Sequence, residues 1–280
     1  MGDCGGTLFE KKGSPTPLSQ KPSPKFIKEK IMKFSHSYTT RWHDTDANRV
    51  LRPSRMLVYM QETANIQCAQ FGMPLDKLRD ERGLGFILSQ ISLKFFRPVP
   101  AFEKIQVDTW CKEAKGFSFL RFFEIKMGGE TVACASSMWA LVDINSKSLV
   151  RASELETESF PYDEPIPADT LPPRARVGKT DAPQDVGERK ICYSDIDYNM
   201  HMNNTNYPDM LCDFMPDMQG KFVSEMSLSY LKEAPFGETL KVKRTVRDDG
   251  YFVFKTENSA GETCLEAIVK LDNIAGVNLV

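Results

Sequence analysis

Trp42-His43-Asp44-Thr45-Asp46-Ala47-Asn48-Arg49-Val50 and Tyr193-Ser194-Asp195-Ile196-Asp197-Tyr198-Asn199-Met200-His201 are two versions of one stretch. Laid over each other in constant register, they share an aromatic opening, Trp42 over Tyr193. They also share three polar positions: Asp44 over Asp195, Asp46 over Asp197 and Asn48 over Asn199. The match continues downstream in order. Ser92-Leu93 and Pro100 lie over Ser227-Leu228 and Pro235, and Gly129-Glu130-Thr131 lies over Gly261-Glu262-Thr263, the register slipping between blocks as loops shorten. Short alternating strands resemble one another by chance, but an ordered series points to a duplicated unit whose loops have diverged. The copies are not equal. Where the second has His201 the first has Val50, and Glu233 faces Pro98. One copy therefore reads as active and the other as a wall or a pocket.

Asp197, Asn199 and His201 stand two residues apart, and in an extended segment such side chains point the same way, so they are expected to converge on one substrate. Asn203 and Asn204 are good helix N-caps, which places the triplet just ahead of a helix N-terminus whose free N–H groups could hold an oxyanion. The same residue types also build ordinary turns. In isolation the triplet fits a turn as well as a site; the asymmetry between the repeats favours function. His43 reads as a loop residue, since the first repeat has Val50 in place of the second histidine.

At 280 residues the chain is long enough for two modest cores, and a formal net charge of -2 disfavours nucleic acid as a partner. No apolar run approaches a membrane span, and no signal peptide opens the chain. Seven scattered cysteines, with no C-x-x-C pair, favour free thiols in a reducing cytoplasm. With only three histidines, a metal centre is not expected, and no cofactor motif is seen.

Residues 1–30 are rich in Gly, Ser, Pro and Lys and read as a disordered tail. Residues 31–151 form the first unit: a strand to Trp42, a helix from Pro53 with Leu57, Met60, Ala64, Cys68 and Phe71 on one face, then strands near 85–97, 103–113, 117–127 and 131–143. Residues 152–188, with repeated prolines, read as a crossing linker. Residues 189–280 repeat the unit: a strand over 189–194, a helix over about 204–215, then four strands. Pro208 conflicts with an early helix start and moves it towards Thr205 or Asn206. Each unit is then a long helix wrapped by an antiparallel sheet, an α+β layer.

With Gln61-Glu62-Thr63-Ala64, Val107-Asp108-Thr109-Trp110, Ala135-Ser136-Ser137-Met138-Trp139 and the run from Asp197 to Tyr207 in order, residues 34–272 resemble the acyl-acyl carrier protein (ACP) thioesterases. The absence of a long Ser- and Arg-rich leader suits the bacterial branch of that plant-type family. The resemblance implies a tandem hot-dog fold and hydrolysis of the thioester joining a fatty acyl chain to ACP. It places Asp197, Asn199 and His201 in the family's catalytic loop and Glu233 at its catalytic acid. Plant members commonly carry a cysteine after that acid; here it is Ala234, so a thiol nucleophile at that place is excluded. Cys192 and Cys212 then read as small apolar core residues.

In such a site Glu233 serves as general base to water while Asn199 or His201 and a helix-end N–H hold the oxyanion. Asp197 either orients His201 or attacks the carbonyl itself. The first unit is expected to house the acyl chain, with Met56, Met60, Phe71, Phe86 and Leu88 as candidate liners that could equally be core. An acidic ACP would dock on basic residues, for which Arg79, Arg82, Lys112, Lys115, Arg174, Arg176 and Lys179 are candidates. Acyl-CoA hydrolysis on the same fold and a non-catalytic acyl-binding module are the alternatives, and a homodimer is left open.

Overall fold

The computed structural model describes residues 33–155, 160 and 162–274. The expected disordered tail over 1–30 lies outside them. The first repeat begins with β1 (Phe34–Thr39), followed by α1 (Pro53–Gln70) and α2 (Leu75–Arg82). Four longer strands follow: β2 (Leu84–Phe95), β3 (Lys104–Cys111), β4 (Ser118–Met127) and β5 (Glu130–Asp143), with the two-residue β6 (Leu149–Val150) added at the edge of β5. The second repeat runs β7 (Gln184–Lys190), α3 (Tyr207–Asp213), β8 (Lys221–Tyr230), β9 (Thr239–Val246), β10 (Phe252–Glu257) and β11 (Thr263–Asn273).

All strands join one antiparallel sheet in the order β1-β3-β4-β5-β2-β8-β11-β10-β9-β7. Read from its centre, each half repeats the other's strand order. The seam is β2 against β8, and Ser92 pairs with Ser227, their hydroxyls 2.9 Å apart. Next to them Lys94 and Glu225 form an ion pair at 3.1 Å. Residues from both repeats share a single buried cluster, so the duplication has one core rather than two.

α1 starts where the sequence signals it, with Pro53 in the first turn, where its missing N–H takes no bond from the helix. It ends in a left-handed Gly72 at φ 83°, with Gly72 N donating to Ala69 O and Met73 N to Cys68 O. Its buried stripe, Met56, Leu57, Met60 and Ala64, belongs to the same cluster as Ile105, Val107, Phe123 and Ile125 of the sheet. The long second helix expected over 204–215 is shorter. Asn204–Asn206 form a 3-10 turn, and α3 begins at Tyr207 with Pro208 in its first turn. That start follows from the proline, which an interior helical position does not accommodate.

The described residues of the stretch over 152–188 cross the sheet face opposite the helices. Trp110 Nε1 donates to Glu164 O at 2.8 Å, Ser229 Oγ donates to Ala175 O at 2.9 Å, and Ala175 packs with Val253 and Ile268. Its last residues from Gln184 belong to β7, where Asp185, Glu188 and Lys190 are exposed at the sheet edge.

Candidate active site

Asp197 opens a tight turn rather than an extended run. Its carbonyl accepts from Met200 N at 2.9 Å, its Oδ1 accepts from Asn199 N at 2.8 Å, and Met200 is left-handed at φ 66°. The extended geometry expected for the triplet fails because an aspartate bonded to the amide two residues on favours a turn over a strand. The first repeat makes the same turn: Asp46 Oδ1 accepts from Asn48 N at 2.8 Å, and Arg49 is left-handed at φ 62°. Both turns are tied alike to the following loop, by Leu51 N to Val99 O and by Met202 N to Ala234 O. Val50 thus lies beside Pro100 as His201 lies beside Pro235. Pro98 and Glu233 occupy equivalent places.

The turn still gathers the four residues. His201 Nε2 stands 3.7 Å from Glu233 Oε1, with the histidine side chain 20% exposed and the glutamate 55%. His201 Nδ1 lies 3.4 Å from Met202 O. Asn199 Oδ1 accepts from Arg79 Nη1 at 2.6 Å. Asp197, Asn199, His201 and Glu233 all line one cavity of about 850 Å³. The Asp197 carboxylate bonds the turn's own amide and not His201, so what it demonstrably does is shape the loop. The nearby helix-end amides are also committed: Thr205 N donates to Asn203 Oδ1 and Asn206 N to Asn203 O, each at 2.9 Å.

The first repeat supplies most of the cavity wall, among it Cys68, Leu78, Phe86, Leu88, Phe119 and Trp139. Phe86 and Leu88, named from sequence as liners, are on that wall. Phe71 is one layer back, its ring 5.5 Å from that of the wall residue Phe160. Met56 and Met60 are fully buried in the common core and are not on the wall. Arg121 is on it, a buried guanidinium that donates to Gln67 and, at 3.1 Å, to Thr109 Oγ1. A lone charge inside the apolar run Phe119-Leu120-Arg121-Phe122-Phe123 was the sequence signal for it. Tyr230 also faces the cavity; burial pushes its phenol far above the ordinary value, and it donates to Asn204 O at 2.9 Å, tying β8 to the segment that follows His201.

Of the basic residues, Arg79 and Lys112 line the cavity, while Arg174, Arg176 and Lys179 lie on the crossing stretch and do not. Ala234 is fully buried. Cys212 packs against the core, where burial pushes its thiol up to about 12. Cys192 is not a core residue as expected from sequence: it is exposed at the turn after β7, where its N–H donates to Asp195 Oδ2.

The equivalent place in the first repeat is a cavity of only about 250 Å³, lined by Asp46, Asn48, Val50, Pro98 and Met218 among others. Asn48 closes it. Its Nδ2 donates to Met218 O at 2.6 Å and Lys221 O at 2.8 Å, and its Oδ1 accepts from Gly220 N at 3.1 Å.

Residues 31–158 match the acyl-ACP thioesterase N-terminal domain, and residues 179–272 match its C-terminal domain. The chain belongs to the acyl-ACP thioesterase family. Among curated relatives it is 21% identical to the palmitoyl-acyl carrier protein thioesterase, chloroplastic, of Gossypium hirsutum. The match covers 87% of this chain and 62% of that protein. Among solved structures, an acyl-ACP thioesterase from Bacteroides thetaiotaomicron superposes with a TM-score of 0.78 at 21% identity, over 86% of this chain and 98% of the other. The 12:0-ACP thioesterase from Umbellularia californica superposes with a TM-score of 0.75 at 16% identity, over 86% and 98%. These likenesses establish the tandem hot-dog fold of the acyl-ACP thioesterase family for this chain.

Proposed function

We propose that the protein hydrolyses fatty acyl-ACP, releasing the free fatty acid and ending chain elongation. One observation carries this: an 850 Å³ cavity walled by apolar residues of the first repeat opens onto Asp197, Asn199, His201 and Glu233 of the second. Family membership supports the substrate. The acyl chain occupies the cavity, with Phe86 and Leu88 against it. Glu233 takes a proton from water as its oxygen bonds to the carbonyl carbon; His201 orients the glutamate, and Asn199 donates to the forming oxyanion. The C–S bond then breaks, and the proton held by Glu233 returns to the departing thiolate. In this reading water is the attacking group, and Asp197, whose Oδ1 accepts from Asn199 N, shapes the loop. The six described cysteines are free thiols, and no described helix is long and apolar enough to cross a membrane; both suit the cytoplasm as the place of action.

A turnover panel tests the reading. Purified protein should release thiol from acyl-ACPs of at least one chain length, with kcat/KM higher than on the matching acyl-CoA. Faster turnover of the CoA thioesters at every chain length would move the assignment to an acyl-CoA thioesterase. Absence of turnover on both would leave an acyl-binding module.

A further inference from the structure

We propose that Arg79 is a positioning residue for hydrolysis, holding Asn199 so that its amide N–H groups face the substrate. This rests on the assignment of Asn199 as oxyanion donor. Arg79 Nη1 donates to Asn199 Oδ1 at 2.6 Å, and its guanidinium lies 4.7 Å from the centre of the adjoining Tyr198 ring. An amide whose oxygen is fixed by a cation presents its NH2 group the other way. Among the described residues Arg79 has no carboxylate partner, so its charge is not spent on an ion pair and polarises the amide it touches.

The first repeat shows what an undirected asparagine does at this place. Asn48 has its Nδ2 committed to two carbonyl oxygens and its Oδ1 to Gly220 N, so nothing remains for a ligand. Asn199 is exposed on the cavity; its Oδ1 takes the one side-chain bond found among the described residues, leaving Nδ2 free. The difference traces to α2. This helix carries Arg79 in its last turn, where the cation also suits the negative end of the helix, and the second repeat has no described helix between α3 and β8. One repeat thus supplies the donor and the other aims it.

The experiment compares Arg79→Ala, Arg79→Lys, Asn199→Ala and the Arg79→Ala/Asn199→Ala double variant. Each is assayed in single-turnover mode on acyl-ACP and on the same acyl chain as an N-acetylcysteamine thioester, which has no protein to dock. Arg79→Ala should slow the chemical step on both substrates by at least about tenfold, the scale of losing alignment. Arg79→Lys should recover part of it, and the double variant should be no slower than Asn199→Ala alone. In 15N spectra, the Asn199 side-chain amide pair, identified by its loss in Asn199→Ala, should shift in Arg79→Ala. Wild-type turnover reports on the assignment of the enzyme; these ratios and the amide shift report on Arg79. An Arg79→Ala variant that raises KM for acyl-ACP alone while hydrolysing the small thioester at the wild-type rate would make Arg79 a docking residue and overturn the proposal. Additive losses in the double variant, or an unmoved Asn199 amide, would overturn it equally.

Discussion

His201 and Glu233 face each other at 3.7 Å on the cavity, and their counterparts Val50 and Pro98 can neither accept a proton nor donate one through a side chain. His201→Ala and Glu233→Ala should each lower the chemical step by at least about a hundredfold, the usual contribution of a positioned acid, base or oxyanion donor. Val50→Ala should leave that step nearly intact. Because Val50 is buried, its variant needs a thermal melt beside the single-turnover rate. Equal slowing by Val50→Ala at equal folding would refute a single catalytic repeat. All four polar residues were legible in the sequence, since a comparison of repeats needs only identity and order. Their geometry was not: alternate spacing suggested a strand, whereas Asp197 spends its carboxylate on a local amide and bends the chain. Nor could spacing separate Met60 from Leu88, because a core residue and a cavity wall residue carry the same apolar side chain.

Among the elements, the loop carrying Asn48 and the chain leading into β8 act as one clasp, with three hydrogen bonds between them. Truncation of Asn48 leaves the Gly220 amide without its partner and removes one bond each from Met218 O, which still accepts from Lys221 N, and Lys221 O, in a part-buried place. Asn48→Ala should therefore destabilise the fold by at least about 1–3 kcal/mol, with the rate of the remaining folded enzyme nearly unchanged. Asn199→Ala should do the reverse: little change in denaturant midpoint and a loss of the chemical step of about a hundredfold. Urea melts and single-turnover rates on both variants separate these outcomes, and a crossed result would mean that the repeats' roles are misassigned. α1 was readable from its apolar stripe and its Pro and Gly boundaries. α2 was not, because Leu-Asp-Lys-Leu-Arg-Asp-Glu-Arg offers too few apolar positions to show a helical period. The polar strand β7 was placed late for a related reason: an edge strand with exposed charges lacks the alternation that marks its neighbours.

For the molecule as a whole, the tandem architecture was visible in the ordered matches between repeats, whereas their fusion into one sheet through β2 and β8 left no mark in composition. Ser92 and Ser227 meet at the centre of that seam, and the two halves depart from each other with distance from it. The clasp at Asn48 gives this departure a direction. Val50→His and Pro98→Glu together should not create a second catalytic centre, because the cavity beside them is only about 250 Å³ and is bounded by Met218, whose carbonyl Asn48 holds in place. Single-turnover rates of that double variant should match those of the wild type, and adding His201→Ala should lower them as far as His201→Ala does alone. The asymmetry between the repeats would in this sense act as a ratchet: where packing takes up the room beside a set of side chains, restoring the side chains does not restore the room.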